Sequence, residues 1–212
     1  MRLVIVSDTH NKMSFINLPK GDVLIHCGDF TVTGTVSEIT QFNRELLRQA
    51  NKFNHIIIIA GNHDLLFERQ PQLARSLLDS RVNYLQDSFC VIDGIKFYGS
   101  PYQPRFFDWA FNLMRGAELA EKWNLIPDET DVLITHGPPF GILDEVPRQY
   151  FIENTGCEEL RKRVETIKPK LHIFGHIHCG YGTTEKFGVK FANASNCDES
   201  YEPTNAPVVI DL

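Results

Sequence analysis

The chain has 212 residues, a formal net charge of −6 and a sequence pI near 5.7. That balance argues against duplex nucleic acid as a partner, since the densest cationic run, "LRKR" at 160–163, is too small to offset the net repulsion. With 42% apolar and 23% charged residues, the composition is that of a folded globular chain rather than a disordered one.

The first element is the apolar run Leu3–Val6, too short for a signal peptide, and no later run approaches the length of a membrane span. Five scattered cysteines without a CxxC pair read as reduced thiols, so a cytoplasmic protein with no membrane partner is expected. Val23–Cys27 is the second strand. Residues 37–51 then carry Ile39, Phe42 and Leu46 at helical spacing behind a Thr35/Glu38 capping box. Ile56–Ala60 follows as a strand, and 71–79 as a helix opened by Pro71 with Leu73, Leu77 and Leu78 turned inward. "FCVIDGIKFYGS" (89–100) is a hairpin about Asp93-Gly94. Val132–Thr135 is a strand, and Cys157–Lys168 a helix capped by Thr155 with Glu158 and stopped by Pro169. Leu171–Phe174, a second hairpin about Phe187-Gly188 and the closing "APVVIDL" complete the strands.

The strand runs are continuous rather than alternating, as in strands covered on both faces. Early strands alternate with helices and later ones pair locally. An α/β fold follows, with two sheets packed as a sandwich and helices outside, four layers in one domain over 1–212.

Polar clusters follow the strands: Ser7-Asp8-Thr9-His10, Gly28-Asp29, Gly61-Asn62-His63-Asp64, His136-Gly137 and Gly175-His176-Ile177-His178. Each alone could be a turn. Together, at the carboxyl ends of the central strands where α/β sheets bind ligands, they predict a metal site. Asp8, His10, Asp29, Asn62, His136, His176 and His178 offer hard oxygen and imidazole nitrogen without thiolate. That set exceeds one tetrahedral zinc and suits two divalent ions, Mn²⁺ first, with Fe or Zn²⁺ as alternatives, bridged by Asp29. Cys27 and Cys179 are expected to be small reduced fillers. His26, His55 and His172, in or beside strands, are expected to be partly buried histidines bonded to neighbours. His63, next to the amide ligand, is a candidate proton donor to a leaving alkoxide, with Asp64 orienting it.

These motifs resemble the calcineurin-like metallophosphoesterases: Asp8-Thr9-His10 stands for DxH, Gly28-Asp29 for GD, Gly61–Asp64 for GNH[ED], His136 for the isolated histidine and Gly175–His178 for GHxH. The resemblance implies one ion on Asp8, His10, Asp29 and His178, and a second on Asp29, Asn62, His136 and His176. "HCGDF", "GSPYQP" and "THGPPFG" are similar to the metallophosphoesterase-domain-containing group, which implies a phosphodiesterase acting on small diesters such as cyclic nucleotides. The segment "GDFTVTG" lacks the Asp-Arg of protein phosphatases, which favours a diester over a phosphoprotein. A nuclease or nucleotide pyrophosphatase, a non-catalytic scaffold of this fold and an HD-type phosphohydrolase are the alternatives. Gly99–Tyr102, Arg105 and the 138–150 loop are either pocket walls or structural loops. Phe106, Phe107, Trp109 and Phe111 are expected in the core.

Overall fold

The computed structural model describes residues 1–212. In chain order the first half contains β1 (Arg2–Val6), β2 (Val23–His26), α1 (Val36–Gln49), β3 (His55–Ile58), α2 (Leu65–Arg69), α3 (Pro71–Ser76), β4 (Val82–Tyr84), β5 (Ser88–Ile92) and β6 (Ile95–Ser100). Two short strands, β7 (Gln103–Pro104) and β8 (Asn112–Leu113), precede α4 (Ala117–Trp123) and β9 (Val132–Thr135). The rest is β10 (Glu145–Pro147), β11 (Ile152–Asn154), α5 (Glu158–Ile167), β12 (Leu171–Phe174), β13 (Gly182–Lys186), β14 (Val189–Asn193) and β15 (Val208–Asp211).

Two large sheets result, ordered β15-β1-β2-β3-β4 and β13-β14-β12-β9-β6-β5. β1 to β4 run parallel, as do β6, β9, β12 and β14, and β15, β13 and β5 pair antiparallel at the sheet edges. The period of two along each strand explains the continuous apolar runs. Leu3, Ile5, Val23, Ile25, Ile57 and Ile59 face Val132, Ile134, Leu171 and Ile173 between the sheets. Val4, Val6, Leu24, Ile56 and Ile58 face outward onto Ile39, Phe42 and Leu46 of α1 and Phe67 of α2. On the far side Leu133 and Phe174 meet Leu119 and Trp123 of α4 and Leu160 and Val164 of α5. Three apolar layers therefore separate four layers of structure, as expected. No helix is long and apolar enough to cross a membrane.

The Thr35/Glu38 capping box forms on α1, and the hairpins turn at Asp93-Gly94 and Phe187-Gly188, all four residues left-handed. Two helix expectations need correction. α3 ends at Ser76 and buries Ala74, so Leu73 is exposed, while Leu77 and Leu78 pack partly buried beyond its end. α5 is capped by the Cys157 thiol, which accepts from the Leu160 N–H, and not by Thr155, whose hydroxyl donates to the Asp144 carbonyl. The cause is the Pro138–Phe140 segment: Cys157 N–H donates to Pro138 O and Phe140 N–H to Cys157 O, holding the chain extended past Thr155. At the other end Lys168 adopts φ +47° before Pro169, whose ring disfavours continued helix.

His26 and His172 are fully buried, bonded through Nε2 to the hydroxyls of Thr9 (3.0 Å) and Thr135 (2.8 Å). Burial pushes both down to about 3, so they are neutral packing groups; His55 is half-buried.

Candidate metal centre

The two sheets converge at the carboxyl ends of their parallel strands. A bridge between Ser7 and Ser195, continuing β1 and β14, ties the ends together. Asp8, His10, Asp29 and His176 all adopt left-handed backbone, with φ of +51°, +39°, +55° and +67°. Non-glycine residues rarely occupy this region, and strain of this kind persists where the surroundings over-determine it. Glycines make room between them. A Cβ at Gly175 would lie 2.0 Å from Asp8 Oδ2 and 2.1 Å from Ser7 Oγ, and one at Gly61 would lie 2.3 Å from Asp29 Oδ1. Gly175→Ala is therefore expected to displace the Asp8 carboxylate and lower metal content, measured by elemental analysis after loading. A variant that retains full metal would show that the turn can yield without moving Asp8.

All seven predicted ligands meet here. His10 Nε2 lies 3.4 Å from His178 Nε2, which is 3.5 Å from Asp8 Oδ1. His136 Nε2 lies 2.9 Å from Asn62 Oδ1 and 3.3 Å from Asp29 Oδ2, and His176 joins Asp29 and His136 in one cluster of converging donor atoms. The ring orientations decide what the site can hold. Nδ1 of His10, His136 and His178 faces the carbonyls of Thr31 (3.2 Å), Cys27 (2.9 Å) and Asp198 (2.8 Å). A carbonyl only accepts, so each Nδ1 carries a proton, and each ring in its neutral form turns an Nε2 lone pair inward. The facing nitrogens of His10 and His178 at 3.4 Å need a cation between them, either a shared proton or a metal ion. Outer carbonyls fixing ligand tautomers are the usual support of metal-bound histidine. The donor set fits divalent ions.

Burial penalises charge at Asp8, yet the His178 hydrogen bond and neighbouring imidazolium charge hold its carboxyl well below the usual range. Burial likewise opposes protonation of His136 and His178. Asp29 overcomes it for His136 and Asp8 for His178, lifting each to about 9. Both values lie above the ordinary 6.5, so folded metal-free protein binds these protons more tightly than the unfolded chain does. Their contribution to stability is complete below pH 6.5 and is lost as pH rises through 9. Divalent ions need the same nitrogens. Metal titration near pH 7.5 in weak buffer is thus expected to release up to about two protons per chain, with apparent affinity rising with pH. Binding without acid release would remove these imidazoles from the ligand set.

His63 lies beside this cluster, its Nε2 4.0 Å from Asp29 Oδ2 and its N–H donating to Asp29 Oδ1 (2.8 Å). The expected orientation of its ring by Asp64 does not occur. Asp64 is fully buried and its carboxylate accepts from the N–H groups of Gly61 (2.8 Å), Asp29 (2.9 Å) and Thr31 (3.0 Å) and from the Thr31 hydroxyl (2.6 Å). It knits the Asp29 and Asn62 turns together, and burial with the nearby Asp29 charge pushes it up to about 7. The His63 ring is held instead by Nδ1–H donating to Val32 O (2.7 Å) and by the Trp109 ring at 4.1 Å. The next residue in sequence is therefore the wrong place to look for the partner.

A cavity of about 470 Å³ opens over the site, lined among others by Arg105, Phe106, Arg115, Pro138, Arg148, Cys179 and Tyr201. Arg105 and parts of the 138–150 loop are thus pocket walls. Cys27 is core as expected, but Cys179 is exposed at the cavity, its thiol donating to Glu145 O (3.1 Å). Of the four aromatics assigned to the core only Phe111 is buried; Phe106 and Phe107 are exposed and Trp109 is half-buried. Sequence reasoning missed Ser195, whose buried hydroxyl lies 3.0 Å from Asp8 Oδ2 and 2.8 Å from Asn193 Oδ1. The signal was present: Asn193-Ala194-Ser195 is one more polar cluster at a strand end.

Fold and site together define an α/β protein with imidazole nitrogen and oxygen donors, able to hold metal, clustered at the shared end of two facing sheets. Residues 1–180 match the family model for calcineurin-like phosphoesterases, and the chain belongs to that family, whose members generally hold two divalent metal ions. It is 45% identical over its full length to 71% of human metallophosphoesterase domain-containing protein 1. It is 40% identical, over 99% of its length, to 74% of the UPF0046 protein K07C11.7 of Caenorhabditis elegans. Among solved structures, TT1561 of Thermus thermophilus aligns over 92% of this chain and 88% of its own, with a TM-score of 0.62 at 13% identity, a likeness of fold.

Proposed function

We propose that the chain is a single-domain phosphodiesterase that uses two divalent ions, Mn²⁺ foremost, to hydrolyse small diesters such as cyclic nucleotides. Asp8, His10, Asp29 and His178 would hold one ion, and Asp29, Asn62, His136 and His176 the other. When bound, such ions supply Lewis acidity at the phosphoryl oxygens and activate water for in-line attack. The protein's own part is orientation and proton transfer. Carbonyls of Thr31, Cys27 and Asp198 fix three imidazoles in the metal-binding tautomer. His63, anchored by Val32 O, turns Nε2 to the same space and would protonate the leaving oxygen.

The observation that carries the diester reading is the state of the cavity's arginines. Arg105 pairs with Asp108, Arg115 with Glu158 and Arg148 with Glu153. Every guanidinium there is matched by a carboxylate, which suits the single charge of a diester better than a monoester dianion. The test is a panel of bis-p-nitrophenyl phosphate, p-nitrophenyl phosphate and 2′,3′- and 3′,5′-cyclic nucleotides with Mn²⁺. Diesters are expected to turn over faster than the monoester. The reverse order would make the protein a monoesterase, and silence on all of them with metal bound would revive the scaffold reading.

A further inference from the structure

The loop between β7 and β8 exposes aromatic surface beside the site. Phe106 is 46% and Phe107 73% exposed, their rings packed edge to face at 4.5 Å. Exposed aromatics on an unsupported loop would mean little, but this turn is cross-braced by side-chain hydrogen bonds. The Asn112 side chain accepts from Phe106 N–H (3.2 Å) and donates to the carbonyls of Phe106 (3.2 Å) and Phe107 (3.0 Å). Arg105 and Asp108 close the turn with an ion pair at 3.0 Å, and Phe107 is held at φ +49°, a strained conformation for an aromatic residue. The turn thus fixes two rings in water where collapse onto the surface would bury them.

Position identifies the occupant. Phe106 lines the same cavity as Asp29, Asn62 and His176, with its ring 6.1 Å from that of His176. A group held at the metal ligands is therefore within reach of this ring through a substituent. Across the cavity, Tyr201 packs edge-on to His10 (4.7 Å) and His178 (5.3 Å) and is 44% exposed. We infer that Phe106, on its Asn112-braced turn, is the specificity-determining surface of the site and receives a planar aromatic ring carried by the organic part of the substrate. The inference rests on the phosphoester reading of the centre and adds the class of organic group the substrate carries. A face already rigid and exposed loses little conformational entropy on contact, so stacking on it contributes nearly in full.

The test compares phenylphosphonate with methylphosphonate, each bearing one organic group, by calorimetric titration of the Mn²⁺-loaded protein. Phenylphosphonate is expected to bind about tenfold or more tightly, within the range of ring stacking on an aromatic side chain. Phe106→Ala should bring the ratio close to one, whereas Phe106→Tyr, which keeps the ring, should preserve it. Equal binding of the two phosphonates by the native protein, or a preference that survives Phe106→Ala, would overturn the assignment. Failure of the wider reading looks different: a Phe106-dependent preference in a protein that hydrolyses no diester would sink the phosphodiesterase and spare the aromatic subsite. Active diester hydrolysis without the preference would do the opposite.

Discussion

Asp29→Ala is expected to lose both metal ions and to lower diester hydrolysis by at least about 10⁴-fold, or roughly 5 kcal/mol of transition-state stabilisation. Asp29 is 2% exposed and is common to two of the three clusters of converging donors, one with His10 and His63 and the other with His136 and His176. No other carboxylate sits between these groups, since Asp8 lies with His10 and His178, and Asp64 is occupied by four donors of its own. Removal leaves the His63 N–H without its acceptor, at a cost of about 1–3 kcal/mol. It also removes the charge that adds to burial in raising Asp64, which offsets part of that cost, and the charge that holds the buried His136 proton, which adds to it. Circular dichroism therefore checks that the variant folds before metal is counted. Elemental analysis after loading then decides. Two ions retained per chain would end the idea of a bridge, and one retained ion would make Asp29 a ligand to a single metal.

Much of this was legible because the same chemistry recurs at equivalent places. A buried run followed by a candidate metal ligand occurs after β1, β2, β3, β9 and β12, with a glycine beside that residue in all but the first, and strand geometry carries those ends to one spot. The capping box of α1 and the two hairpins were legible for the same reason, since each is set by residues a few positions apart. What sequence could not give were contacts made through backbone atoms or across long separations. Val32 O as the anchor of His63, Thr31 O behind His10 and Asp198 O behind His178 are carbonyls, which every residue carries and no side chain signals. Asp64 misled because adjacency in sequence resembles a catalytic pair, while its oxygens are satisfied by Gly61, Asp29 and Thr31. The cap of α5 was misassigned because a bridge to Pro139, 18 positions away, holds Cys157 extended at the helix entry. Phe106 and Phe107 were assigned inward because their hydrophobicity cannot reveal that Asn112 clamps their turn outward.

His63→Ala is expected to retain both ions while losing about 10²–10⁴ in turnover of diesters with poor leaving groups, the range of general acid catalysis. Metal retention follows from the contacts. The bond to Asp29 Oδ1 comes from the His63 backbone N–H, which alanine keeps, and the seven other donors are untouched. The rate loss follows from the ring. Val32 O holds the Nδ1–H and the Trp109 face limits rotation, so in the imidazolium ring the acid role requires, the second proton sits on Nε2 and is directed to the reaction space. An acid there matters in proportion to how badly the leaving oxygen needs a proton. The loss should thus be large for a ribose hydroxyl and small for p-nitrophenolate, which departs unprotonated. Comparing a cyclic nucleotide with bis-p-nitrophenyl phosphate on one metal-loaded preparation separates this role from damage to the centre, which would slow both alike. Equal losses on the two substrates would make His63 a support of Asp29 rather than a proton donor, and unchanged turnover of the cyclic nucleotide would remove it from the mechanism.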